Sequence, residues 1–318
     1  MMIGRESMSK NQSRREFFRS GALIAAGTAA SAFAPRTGES IEPIVRKGGS
    51  RLKLSCCAYS YRQFLSGKNK TMTLDDFMEI AAEIGLDGVE LTAYYFPGEI
   101  TPEYLNHLKH KAFLLGLDIS GTAVGNHFCH PPGATREKNV AQIKQWVDYS
   151  AALGAPCIRV FGGNVPKGAS LEQAQKWTIE CIEECCEYSG KKGVFLAMEN
   201  HGGITASPKE MLPIVQGVKS KWYGVNLDTG NFRTADPYGD IATMAPYAVT
   251  THVKTRVGGK PADFKRIIEI MRDAGYRGYL SLEYEDREDP KTAVPRTMRT
   301  LRRQLHSSVL RLEPGSGA

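Results

Sequence analysis

From residue 51 onward the chain alternates short, strongly apolar runs with longer amphipathic ones, on a beat of about thirty residues. Eight runs read as strands: "KLSCCAY" (53–59), "GVELTAY" (88–94), "LDISGTAV" (117–124), "PCIRVFG" (156–162), "VFLAMEN" (194–200), "YGVNLDT" (223–229), "VTTHVKT" (249–255) and "GYLSLEYE" (278–285). The amphipathic runs between them carry helix punctuation. "TLDDFMEIAAEIG" opens on Thr73 as an N-cap and closes on Gly85, and "TREKNVAQIKQWVDYSAALG" closes on Gly154. "SLEQAQKWTIECIEECCEYSGKKG" is the longest, "SPKEMLPIVQGVKS" opens on Ser207 followed by Pro208, and "DFKRIIEIMRDAGY" precedes the last strand. Eight strands, each followed by a helix, predict a single (β/α)8 barrel over residues 51–306. An open doubly wound sheet would want a Gly-rich phosphate turn after the first strand, and "CAYSYRQFLSGKNK" lacks G-x-G-x-x-G.

The segment before residue 51 has a different character. "SRREFFRSGALIAAGTAASAFA" joins Arg14 and Arg15 to two phenylalanines, a small-residue apolar stretch and an A-x-A ending at Ala34. It resembles a twin-arginine export signal, which implies passage through the twin-arginine machinery, cleavage after Ala34 and a periplasmic or otherwise exported protein. Residues 1–34 are thus read as the signal, 35–50 as a Gly/Pro/Arg-rich linker and 307–318 as a tail. Formal net charge is +7, of which residues 1–34 supply +3 (five Lys/Arg against two Asp/Glu), leaving a mild +4. There is no basic and aromatic stripe of the kind nucleic-acid binding would need, and no stable membrane span is expected in the mature chain. A homo-oligomer is compatible with the sequence. Seven cysteines, with two adjacent pairs and no C-x-x-C, do not require a disulfide framework, and Cys181 and Cys185 are spaced to pack on one helix face.

Polar residues interrupt the apolar runs where strands five to eight should end. Glu199, Asp228, His252 and Glu283 would stand there in order, at the barrel mouth where such folds place their chemistry. Three carboxylates and an imidazole form an O3N donor set suited to one divalent cation: Mn2+, Mg2+, Co2+, Fe2+ or Zn2+. Without a cation, carboxylates so close should raise one another's pKa.

"LAMENHGG", "VNLDTGN", "THVKT" and "LSLEYE", with "GLDGVELTAYYFP" at strand two, resemble the signature strands of the xylose isomerase-like barrel superfamily, in particular its sugar phosphate isomerase/epimerase (AP endonuclease family 2) branch. The resemblance implies that Glu199, Asp228, His252 and Glu283 bind metal and that the two glutamates form the acid/base pair of an epimerase. The chain departs from the pattern at Asn231, where relatives often carry a histidine three residues after the strand-six Asp. That leaves the sugar specificity open and weakens the DNA-repair endonuclease reading, which needs extra histidines for a metal cluster.

Other rim residues are candidate substrate contacts. Lys254 lies two past His252, and His201 two past Glu199, so each shares its predecessor's side of the strand. Lys254 binds a substrate oxygen or pairs with an acid; His201 faces the mouth or the turn. Glu90 and Arg159 lie inside strands two and four and need partners or substrate. Asn126, His127 and His130 sit on the loop after strand three, where a second metal is an option, and Asn231 completes the set. Tyr94, Tyr95 and Phe96 either pack or wall a sugar face.

The expected function is a metal-dependent sugar or cyclitol isomerase/epimerase, working through an enediolate with Glu199 and Glu283 moving the proton. The alternative is a lyase, dehydratase or hydrolase acting on keto-sugars or 3-keto-glycosides. Export favours an unphosphorylated carbohydrate. A catalytically silent sugar-binding barrel predicts lost ligands, and all four are present.

Overall fold

The structure, a computed structural model, describes residues 41–68 and 70–309. Residues 1–34, read as an export signal, lie outside the described residues. Eight parallel strands close into a barrel: β1 (Arg51–Cys57), β2 (Gly88–Thr92), β3 (Asp118–Ala123), β4 (Cys157–Phe161), β5 (Phe195–Glu199), β6 (Tyr223–Asp228), β7 (Ala248–Val253) and β8 (Arg277–Leu282). Each pairs with the next, and β1 closes on β8 in a register that runs from Arg51–Arg277 to Cys56–Leu282. Helices α1 (Leu74–Glu83), α2 (Pro102–Leu114), α3 (Ala134–Leu153), α4 (Leu171–Lys192), α5 (Pro208–Gly217), α6 (Pro237–Met244), α7 (Phe264–Asp273) and α8 (Pro290–Val309) follow the strands in turn. The predicted fold class and all eight predicted strands are present.

Strands wrapped by helices outside and side chains inside are dry on both faces, so they read as continuous apolar runs. β2 and β6 are buried at every position. The predicted strands overrun at their C-terminal ends because the chain leaves the ladder there: Ala58–Tyr61 and Ala93–Tyr95 form 3-10 turns. Register slips once between Val89 and Glu90 and once between Val225 and Asn226. Such irregularities re-aim side chains near functional sites, and Glu90 and Asn226 both belong to the site described below.

Helix ends follow the sequence signals. Thr73 and Asp76 form a reciprocal capping box on α1, Ser170 and Gln173 one on α4. Gly154 and Gly193 close α3 and α4 in the left-handed conformation. Part of the expected linker is fastened to the barrel: Ile44 donates its backbone N–H to Pro246 and Arg46 its guanidinium to Ala248 at the start of β7. Helix α8 also continues past residue 306, to Val309. Among the described residues no helix is long and apolar enough to cross a membrane.

Candidate metal centre

Parallel pairing brings the polar strand ends to one level. Asp228 is the register partner of His252, Glu199 ends β5 opposite Asn226, and Glu283 follows β8 with its N–H donated to the Val253 carbonyl at 3.0 Å. One ligand atom each from Glu199, Asp228, His252 and Glu283 lie within 4.8 Å of one another, and all four residues are buried. His252 Nδ1 stands 3.3 Å from both Glu199 Oε2 and Glu283 Oε2. Neither His252 Nδ1 nor Asp228 Oδ2 has a hydrogen bond. Each has only looser ion-pair neighbours, Nδ1 the two glutamates and Oδ2 the Lys254 Nζ at 3.4 Å, and two such atoms facing the same small space fit a cation that would give each a close partner. Hard oxygens plus one imidazole suit the divalent ions expected from the sequence.

Neighbouring groups point these donors inward. The Glu90 carboxylate accepts His252 Nε2–H with its oxygens at 2.9 and 3.0 Å, which leaves Nδ1 for the cage. That tautomer is assigned from the hydrogen-bond network. The Cys57 thiol donates to Glu90 Oε1 at 3.1 Å, and burial pushes this thiol's pKa far up, so Cys57 serves here as a donor. Asp228 Oδ1 accepts the backbone N–H groups of Gly230 and Asn231 at 2.8 and 2.9 Å, leaving Oδ2 to the cage. Asn200 brackets Asp228 from the side, donating to its carbonyl and accepting its N–H.

Glu199 divides its oxygens in the same way. Oε2 takes Asn226 Nδ2 at 3.2 Å and lies 3.2 Å from Arg159 Nε, while Oε1 takes His201 Nδ1 at 2.8 Å and Asn231 Nδ2 at 3.1 Å. The strand that reads "LAMENHGG" turns sharply after these residues. A Cβ on Gly203, which has φ 53°, would come 2.2 Å from the Gly163 carbonyl oxygen. Glycine there lets the β5 loop dock on the β4 loop, and Ile204 N–H donates to that same carbonyl.

Charge is balanced inside the cage rather than left to repulsion. Burial alone would raise Glu199, but Arg159, His201 and His252 hold it well below the carboxylate range. Burial likewise opposes ionisation of Glu283, and His252 and Lys254 pull it down. Asp228 is the exception: burial outweighs Lys254 and pushes it up to about 7, with Glu199 and Glu283 adding to the rise. Burial works against charge on His252 and Lys254, yet the surrounding carboxylates raise both, so His252 Nδ1 carries a proton that a bound cation would displace. The expectation that crowding would raise all the acids is therefore corrected to one of the three, because Arg159 and Lys254 lie within the cluster.

Lys254 Nζ sits 2.5 Å from Glu283 Oε2 and 3.4 Å from Asp228 Oδ2, and also pairs with Glu285. Of the six expected contacts, Lys254, His201, Asn231, Arg159 and Glu90 touch a cage ligand directly. His127 does not join them: it is exposed on the β3 loop beside His130, and neither belongs to a metal-ligating group among the described residues. Tyr94 is half-exposed at the rim against Tyr59, whereas Tyr95 is buried and Phe96 packs on Trp146. Asn226, Glu285 and Asn200 were not singled out as site residues. The first two lie two residues from Asp228 and Glu283, so the period-of-two argument applied to Lys254 and His201 reaches them too.

A closed all-parallel (β/α)8 barrel with three carboxylates and an imidazole converging at its mouth defines the class of barrel this is. The chain belongs to the xylose isomerase-like TIM barrel family, whose profile matches residues 78–304. It is similar to a Mus musculus protein named "Putative hydroxypyruvate isomerase", at 27% identity over 173 residues. That match takes in 46% of this chain and 60% of the mouse protein. Among solved structures it resembles an L-ribulose 3-epimerase (TM-score 0.71, 15% identity, 84% of this chain and 100% of that one). It also resembles the D-psicose 3-epimerase of Clostridium cellulolyticum H10 (TM-score 0.68, 17% identity, 80% and 99%). These structural likenesses establish the shared fold.

Proposed function

We propose that this protein is a divalent-metal-dependent isomerase or epimerase acting on a small carbohydrate that carries a carbonyl group. One observation carries the reading: two buried atoms without hydrogen bonds, His252 Nδ1 and Asp228 Oδ2, in a cage flanked by two glutamates. The names of the relatives, a hydroxypyruvate isomerase and sugar 3-epimerases, agree with it. A cation held by Glu199, Asp228, His252 and Glu283 would supply Lewis-acid polarisation of the substrate's oxygens.

The residues supply the rest. Glu199 is ionised and its Oε1 is oriented by His201 and Asn231. It takes the proton from the carbon beside the carbonyl. Glu283 directly follows β8, three strands further round the ring, and returns to that other side a proton passed to it from the ammonium of Lys254 at 2.5 Å. Lys254 Nζ, a buried cation against Glu283, steadies negative charge that develops on the carbonyl oxygen.

General acid/base catalysis is worth about 10²–10⁴-fold. Glu199→Gln and Glu283→Gln are each expected to lose at least ~10²-fold in exchange of the substrate's α-hydrogen with deuterated solvent, measured by NMR with metal retained. Wild-type exchange in the double variant would place the bases elsewhere. We also propose export by the twin-arginine route. Arg14→Lys/Arg15→Lys is expected to hold the precursor in the cytoplasm on fractionation, and normal periplasmic yield would overturn that.

A further inference from the structure

Two groups of side chains among the described residues are arranged to hold an ion, and His252 belongs to both. The first is the cage. The second is Cys57, Glu90 and His252, all buried, on β1, β2 and β7. Cys57 and Glu90 are register partners on adjacent parallel strands, so their side chains lie side by side, and His252 reaches them from β7. Cys57 Sγ lies 3.1 Å from Glu90 Oε1, and that oxygen lies 3.0 Å from His252 Nε2. Thr92 Oγ1 stands 3.4 Å from the sulfur and Glu283 Oε1 3.8 Å, so two more oxygens border the same space.

Bonds of about 2.0–2.3 Å in a four-coordinate metal site put its donors roughly 3.3–3.8 Å apart. Small outward shifts bring this group to that spacing. Two protons occupy the space instead, on Sγ and on Nε2, and both are aimed at the Glu90 carboxylate. A coordinating thiol is deprotonated outright, and metal binding releases the protons its ligands carried. A divalent ion that replaces both protons brings two charges in and sends two out, so the buried site gains no net charge. The donors also differ in kind from those of the cage. Hard oxygens and one nitrogen suit Mn2+ or Mg2+, whereas a sulfur beside an imidazole and a carboxylate suits softer ions such as Zn2+ or Cd2+. Among the described residues none of the other six cysteines belongs to a metal-ligating group.

We infer that Cys57, Glu90 and His252 Nε2 form a second cation site, selective for thiophilic ions, which fills only when the cage gives up His252. A neutral imidazole has one acceptor nitrogen. With an ion on Nε2 the remaining proton sits on Nδ1, 3.3 Å from Glu199 and Glu283, and the cage loses its nitrogen ligand. A thiophilic ion thereby expels the hard one and stops the chemistry it supports. The site stands on its own donors; the exclusion rests on the metal cage proposed above.

The test is ultraviolet titration of the full chain with Cd2+, following the thiolate-to-metal absorption that oxygen and nitrogen ligands do not give. The band is expected in wild type and in Asp228→Ala, whose cage lacks a donor. Cys57→Ser, close in shape to the native residue, should lose it, and Cys186→Ser, on α4, should keep it. Mn2+ at about a hundredfold over its own Kd should raise the Cd2+ concentration at half-signal at least ~10-fold in wild type and less than about twofold in Asp228→Ala. No band, or a band that survives Cys57→Ser, overturns the site. A wild-type midpoint unmoved by Mn2+ that calorimetry shows to be bound overturns the exclusion. A Cys57-dependent band in protein that binds no Mn2+ supports this site and removes the cage reading instead.

Discussion

His252 works through both ring nitrogens. Nε2 is held by Glu90, and Nδ1 faces the cage without a hydrogen bond. A histidine that donates one N–H to a carboxylate has its tautomer and ring angle fixed before a cation arrives, and loss of such an outer partner typically costs 10–100-fold in metal affinity. Glu90→Gln keeps the shape but gives the ring an amide that can offer its own N–H instead of accepting one. It is expected to weaken divalent-metal binding by about 10–100-fold, read by direct titration with Mn2+ or Zn2+. Unchanged affinity would show that Glu90 does not steer the imidazole. The buried Cys57 thiol adds a second donor to the same carboxylate, so Cys57→Ala should move affinity in the same direction by less.

Helix α1 carries a test of local stability at the element scale. Thr73 Oγ1 accepts the Asp76 N–H at 3.2 Å, and the Asp76 carboxylate accepts the Thr73 N–H at 2.8 Å. Thr73→Ala is expected to cost about 1 kcal/mol in urea unfolding. The hydrogen bonds from Thr73 lower the Asp76 pKa in the folded state. Its contribution is therefore fully present above the unfolded value and is lost as pH falls through the folded one. The gap between wild type and Thr73→Ala should accordingly narrow in acid. A gap that stays constant from neutral pH to pH ~3 would mean that the carboxylate contributes nothing there.

The same scale shows what was legible in the sequence. The strands were, because dry parallel strands leave largely apolar runs, and the four candidate donors stood out as ionisable groups near their C-terminal ends. Three helices were not singled out. The apolar period of α2 is blurred by Phe113 and Leu114, which are 82% and 69% exposed; α6 has eight residues; α8 carries Pro295 in its interior. Thr101 followed by Pro102 was nonetheless as good a start signal for α2 as Ser207 and Pro208 were for α5. The pairings of Arg159 with Glu199 and of Lys254 with Glu283 were beyond reach, since they join neighbours across the ring. The slip at Val89/Glu90 was also hidden, because a bulge alters which face a residue takes without altering composition.

At the scale of the whole molecule, the four residues that could hold a metal come from β5, β6, β7 and the end of β8, half of the closed barrel. Unfolding separates these strands, so a cation that needs all four donors binds the native chain and not the unfolded one. Mass action then stabilises the fold by RT ln(1 + [L]/Kd), about 2.7 kcal/mol at a hundredfold excess over Kd. For a domain of this order of size each kcal/mol moves Tm by roughly 2–4 °C. Saturating Mn2+ or Zn2+ is therefore expected to raise Tm by about 5 °C or more over the same protein in EDTA. Asp228→Ala removes the ligand whose carboxyl is pushed up to about 7 when no cation offsets its burial. This variant should lose the metal-dependent rise, and its Tm in EDTA should fall as well, because the Gly230 and Asn231 N–H groups lose their acceptor. If wild type melts at one temperature with and without divalent ions, the four residues do not act as a metal site. If Asp228→Ala keeps the full rise, the cation is held elsewhere on the molecule.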